Sequence, residues 1–141
     1  MVILTAIDRD PGCKGVVETA NDLATSMDKD LVILHVVPED GDEEAARAEV
    51  EDVVTSAIGS LEGVDLRIMP EQTRRDLPTG RTANHILQVA EEIKPDYIVI
   101  GSRKRTGLGK ILLGSVSQLI LANADVPVVT VEQTRKEEAE A

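Results

Sequence analysis

Residues 97–120 read YIVIGSRKRTGLGKILLGSVSQLI, and their order is that of a strand, a glycine-rich segment and a helix. Tyr97 to Ile100 is a short run, apolar on successive positions as in a strand covered on both faces. From Gly101 to Ser115 glycines and cations take over, with Arg103, Lys104 and Arg105 in succession. Beyond Gly114 the residues Val116, Leu119, Ile120 and Ala124 fall at helical spacing. A strand that feeds a helix in this way is one unit of a parallel α/β sheet.

Working outward, four more β-rich runs precede or follow it: Val2 to Ile7, Leu31 to Val37, Val64 to Met69 and Val126 to Val131. The run from Val64 alternates, with Asp65 and Arg67 between apolar residues, which predicts an edge strand. Helical spacing marks Lys14 to Met27, Glu43 to Leu61 and Thr82 to Ile93, the last stopping before Pro95. Strand and helix alternate throughout, so the expected fold is α/β, a doubly wound five-stranded parallel sheet in a Rossmann-like three-layer α/β/α arrangement. Residues 1–133 read as one domain, and 134–141 as a charged, frayed tail. The acidic stretch from Asp40 to Asp52 is expected to open and coat the second helix, because carboxylates favour a helix N-terminus.

Composition narrows the function classes. The chain has 141 residues, one Tyr, no Phe or Trp, and a formal net charge of −11. Aromatic platforms for bases are therefore scarce and the charge repels a phosphate backbone, so no nucleic acid partner is expected. The acidic excess suits a protein kept soluble at high ionic strength, a halophilic-type composition. Cys13 is the one cysteine, which excludes an internal disulfide and argues against structural zinc. No apolar run reaches the roughly 18 residues of a membrane span, and a cytoplasmic location is expected.

Ligands of open α/β sheets bind beyond the carboxyl ends of the strands, so residues just after strands are the candidates. The first strand ends in Asp8, Arg9 and Asp10, and the fourth in Gly101 to Arg105. Glycines let a backbone approach an anion, Ser115 and Ser117 carry hydroxyls, and a helix starting near Gly114 aims N–H groups at it. The alternative is a solvated basic turn with capping serines. The segment is not a P-loop, because Gly109-Lys110 is followed by Ile111. His35, inside a strand, reads as a packed core histidine, and His85 as a residue at a surface or a partly buried edge.

These residues resemble the universal stress proteins. The resemblance runs over nearly the whole chain: a first strand ending in Asp8, the helix with Thr19 to Ala24, the strand Leu31 to Val37, Gly80 ahead of the third helix, Pro95-Asp96, the Gly101 to Ser117 segment, and Val126 to Val129. It implies the strand order 3-2-1-4-5. In nucleotide-binding members the glycine segment reads Gly, two residues, Gly, nine residues, Gly, then Ser or Thr. Gly101, Gly114 and Ser115 fit, whereas Lys104 stands at the second glycine. The resemblance implies that Asp8 contacts an adenosine moiety, that Val36 or Val37 lies against adenine, and that Gly101, Gly114, Ser115 and Ser117 hold the phosphates; Arg103, Lys104 and Val116 complete the expected nucleotide-binding set. It implies ATP as ligand, with AMP or another adenine nucleotide as alternatives and Mg²⁺ as a companion ion. It also implies a homodimer through Val126 to Val131 and an unidentified protein partner. Two functions remain open here: a nucleotide-binding stress-response module, with at most slow ATP hydrolysis, and a nucleotide-free dimeric interaction module.

Overall fold

The computed structural model describes residues 1–8, 11–38, 40–71, 81–104, 111–112 and 114–133. The expected tail at 134–141, and Arg9, Asp10, Gly80 and Arg105, lie outside the described residues. In chain order the elements are β1 (Val2–Ala6), a 3-10 turn (Pro11–Cys13), α1 (Lys14–Met27), β2 (Asp30–Val37), α2 (Glu43–Ile58), β3 (Val64–Pro70), α3 (Arg81–Ile93), β4 (Tyr97–Lys104), β5 (Ile111–Leu112), α4 (Ser115–Asn123) and β6 (Val128–Gln133).

Local chemistry sets the helix ends. Asp42 opens α2 by accepting hydrogen bonds from the N–H groups of Glu44 at 3.0 Å and Ala45 at 3.2 Å, the expected use of an acidic cap. Gly59, at φ 86°, closes the same helix before the expected Leu61; only glycine adopts this left-handed turn without a steric cost. α1 stops at Asp28, where the N–H groups of Asp28 and Lys29 return to the carbonyls of Thr25 and Ala24.

Five strands run parallel in the order β3-β2-β1-β4-β6, which is the expected 3-2-1-4-5 when these five are counted alone. β3 stands at the edge, and its alternation has Asp65 and Arg67 pairing with each other at 3.1 Å. Unlike the sequence reading, β4 does not end at Ile100. Its continuation pairs with β6 as far as Arg103↔Gln133 and antiparallel with β5 through Arg103↔Leu112 and Lys104↔Ile111. Because β6 occupies one side of β4 at Arg103, β5 takes the other, beyond the end of β1. Ladder partners on both sides thus keep this backbone extended. β6 likewise begins at Val128 instead of Val126 and runs on to Gln133.

Two apolar layers sandwich the sheet. Ile3, Ile33 and Val37 pack with α1 and α2 through Val16, Val17, Val50 and Val54, while Leu4, Leu34, Ile98 and Ile100 pack with α3 and α4 through Ile86, Val89 and Ile120. β2 and the centre of β4 are buried on both faces, as their unbroken apolar runs require. At the amino ends of the strands, Asp96 accepts from the Val2 N–H at 3.2 Å and pairs with Lys29 at 2.9 Å, while its own N–H donates to the Val2 carbonyl. The hydrogen bond from Lys29, helped by its charge and by the Val2 N–H, holds the Asp96 carboxyl below its usual 3.8 despite some desolvation.

Candidate functional site

β1 and β4 are neighbours although far apart in sequence, because the chain returns from β3 past β1 before adding β4. At this reversal the connections leave on opposite faces and open a crevice at the carboxyl ends. A cavity of about 350 Å³ lies there, within the range of small-molecule sites. Its apolar part is made by Ala6, Leu34, Val36 and Ile100 from the strands and by Ile86 and Ile120 from α3 and α4. Its polar part comes from Asp8, His35, Thr82, Gly101, Gly114, Ser115 and Ser117.

Asp8 follows β1 and is exposed. The thiol of Cys13, itself 1 % exposed, donates to Asp8 Oδ1 at 3.0 Å, so the residue immediately before α1 is tied back to the cavity rim. This role of Cys13 had no signal in the sequence beyond the presence of a small apolar residue.

On the opposite rim, α4 starts at Gly114, whose extended backbone (φ −68°, ψ 169°) brings no capping side chain. The helical ladder begins with the Gln118 N–H on the Gly114 carbonyl at 3.0 Å. The earlier amides of the first turn therefore have no intrahelical acceptor, and they carry the positive end of the helix dipole. Ser117 sits in that turn, but its hydroxyl donates to the Gly101 carbonyl at 3.0 Å.

Of the residues singled out from sequence, the cavity wall brings together Asp8, Val36, Gly101, Gly114, Ser115, Val116 and Ser117, and it also includes His35, which was read as a packed core residue. Val37 falls one position on and packs into the α1–α2 layer, so the pleat separates the two valines. Arg103 and Lys104 extend β4, and their side chains lie outside the described residues. Thr82 and Ile86 are wall residues that the sequence reading missed; the start of α3 was legible, but its approach to the cavity follows from packing. His35 is buried, and its Nδ1–H donates to the Ile7 carbonyl at 2.8 Å, since a carbonyl only accepts. His85 is also buried, at 8 % exposure, deeper than the expected surface or edge position. Among the described residues no three His, Cys, Asp or Glu side chains gather as a metal group, and no helix is long and apolar enough to cross a membrane.

The chemistry of the wall is asymmetric. An apolar slot can receive a flat, weakly polar body, the Asp8 carboxylate can accept from hydroxyl or amine donors, and the first turn of α4 can take an anion. These features define a doubly wound α/β protein with a small-molecule crevice at its topological switch point.

The family model of the universal stress protein family matches residues 1–132, and the chain belongs to that family. A universal stress protein of Mycolicibacterium smegmatis is 32% identical over 136 residues, covering 93% of this chain and 97% of the relative. One from Methanocaldococcus jannaschii is 47% identical over 58 residues, covering 41% of this chain and 34% of the relative, about a third of its length. Among solved structures, a universal stress protein from Archaeoglobus fulgidus superimposes with a TM-score of 0.72 at 24% identity, covering 92% of this chain and 97% of the other. Similar folds are seen in a universal stress protein in complex with cAMP (TM-score 0.66, 20% identity, 95% and 98% covered) and in one from Archaeoglobus fulgidus in complex with dAMP (0.61, 21%, 92% and 96%). At these identities the superpositions establish the fold.

Proposed function

We propose that this chain is a nucleotide-binding stress-response module whose carboxyl-end cavity takes an adenine nucleotide, ATP or AMP. The observation that carries the reading is the placement of Asp8 on one rim and of Gly101 with the uncapped first turn of α4 on the other, across an apolar slot containing Val36. Adenine would enter the slot, a ribose hydroxyl would donate to Asp8, and phosphate would meet the amides of Ser115 to Ser117. The family membership and the cAMP and dAMP complexes of similar structures support the same ligand class. Occupancy would act by favouring one shape or partner surface over another.

Calorimetric titration with ATP and with AMP tests this. Saturable heat with a dissociation constant below millimolar is expected, and neither heat nor a thermal shift at millimolar ligand rejects the reading.

A second reading, dimerisation, is favoured by β6, which ends the sheet order and is preceded by Pro127. An edge strand of this kind pairs with a second copy. Light scattering of the ligand-free protein at twice the monomer mass supports it, and the monomer mass rejects it.

A further inference from the structure

We infer that the Ser117 side chain is a positioning group, a latch that sets the first turn of α4 against the end of β4, and that its hydroxyl is not a phosphate donor. The inference rests on the nucleotide reading of the cavity, and it assigns the part that one of its wall residues plays.

The hydroxyl of serine has one hydrogen to give. In the structure that hydrogen is directed at the Gly101 carbonyl, 3.0 Å away and 16 positions earlier in the chain. Both residues line the cavity and both are partly buried, so the bond is shielded from competing water more than a surface contact would be. A serine at the third helical position ordinarily satisfies its own helix terminus; this one spans to a different element. Gly114 has no side chain with which to cap the terminus. The amides of the first turn are thereby left facing the cavity, while the turn that carries them is fixed through Ser117.

Gly101 is fixed from the other side as well. It stands in register with Val131 of β6, and the neighbouring Ser102 and Arg103 pair with Glu132 and Gln133. The latch therefore ties α4 to a strand whose position the sheet already determines. An anion would meet amides held in place before it arrives, which lowers the ordering cost of binding. With its hydrogen on Gly101, the Ser117 oxygen has only lone pairs to offer, and lone pairs repel a phosphate oxygen.

The test compares the full-length protein with its Ser117→Ala and Ser117→Thr variants, by amide hydrogen exchange without ligand and by calorimetry with AMP and with adenosine. A latch predicts that in Ser117→Ala the Gln118 and Leu119 amides exchange about fivefold faster in the ligand-free state, the scale of one net hydrogen bond. It predicts that AMP binds about fivefold more weakly while adenosine is unaffected, and that Ser117→Thr, which keeps the hydroxyl, restores both. Unchanged ligand-free exchange with weakened AMP binding would make Ser117 a direct phosphate donor and overturn the inference. Faster exchange with unchanged AMP affinity would overturn it too, as would unchanged values of both. If none of the three proteins binds AMP, the nucleotide reading fails by itself and the exchange comparison still decides whether the latch exists.

Discussion

At the amino ends of the strands Asp96, Lys29 and the backbone of Val2 satisfy one another, whereas at the carboxyl ends Asp8, Gly101 and the first turn of α4 face a cavity. A depression of about 320 Å³ exists at the amino end as well, lined by Val2, Asp30, Gly63 and Ile93 among others. Its Asp65 and Arg67 already pair with each other, and Asp96 nearby is held by Lys29. Similar volume thus has different chemical meaning at the two ends. At the amino end the polar groups pair with one another, whereas at the carboxyl end Asp8 and Gly101 are held by Cys13 and Ser117 and still line the cavity wall.

The largest effect expected from breaking this contrast is at Asp8. Replacing it with Ala removes a charged acceptor from the cavity rim, and AMP affinity should fall about tenfold or more, the scale of a hydrogen bond to an ionised group. Stability in urea should also fall, because the buried Cys13 thiol loses its acceptor. An affinity like that of the unaltered protein, measured by calorimetry, would remove Asp8 from the site.

A smaller and opposite effect is expected at the amino end. The Asp96 carboxyl is held below its usual 3.8, first by the Lys29 hydrogen bond. A depressed carboxyl contributes stability that is fully present above the unfolded value and is lost as pH falls through the folded one. Asp96→Asn should therefore lower the thermal midpoint at neutral pH, and the difference from the unaltered protein should shrink as pH drops below about 3.8. AMP binding at neutral pH should not change. A stability difference independent of pH would show that the Asp96 charge is not what closes this end.

How far these two ends could be read from sequence follows from the range of the interactions involved. The helices and most strands were legible because each is written in its own periodicity: Lys14 to Met27 as a helix, Asp65 and Arg67 as the outward residues of an edge. The acidic cap of α2 at Asp42 was legible for the same local reason. β5 was not, since two residues, Ile111 and Leu112, form a strand only because Arg103 and Lys104 are there to pair with them. Nor could the run Leu31 to Val37 say whether Val36 or Val37 faces the cavity, because a strand apolar on both faces does not reveal which face meets α3 and α4. The Cys13–Asp8 and Ser117–Gly101 bonds join residues that come together only after the β1–α1 connection and α4 have been placed. Gly101, Gly114 and Ser115 were singled out through a spacing and Asp8 through its place after the first strand, whereas the partners that hold the rim emerge only from the fold.

The most direct measurement of the central claim is amide hydrogen exchange with and without AMP at saturating concentration. Protection is expected around Ile7 and Asp8, at Gly101 and Ser102, and over Ser115 to Gln118, with residues 30–32, 64–67 and 96 unchanged. Protection confined to the amino-end segments, or none anywhere while AMP is in millimolar excess, would contradict a nucleotide site at the carboxyl ends of the sheet.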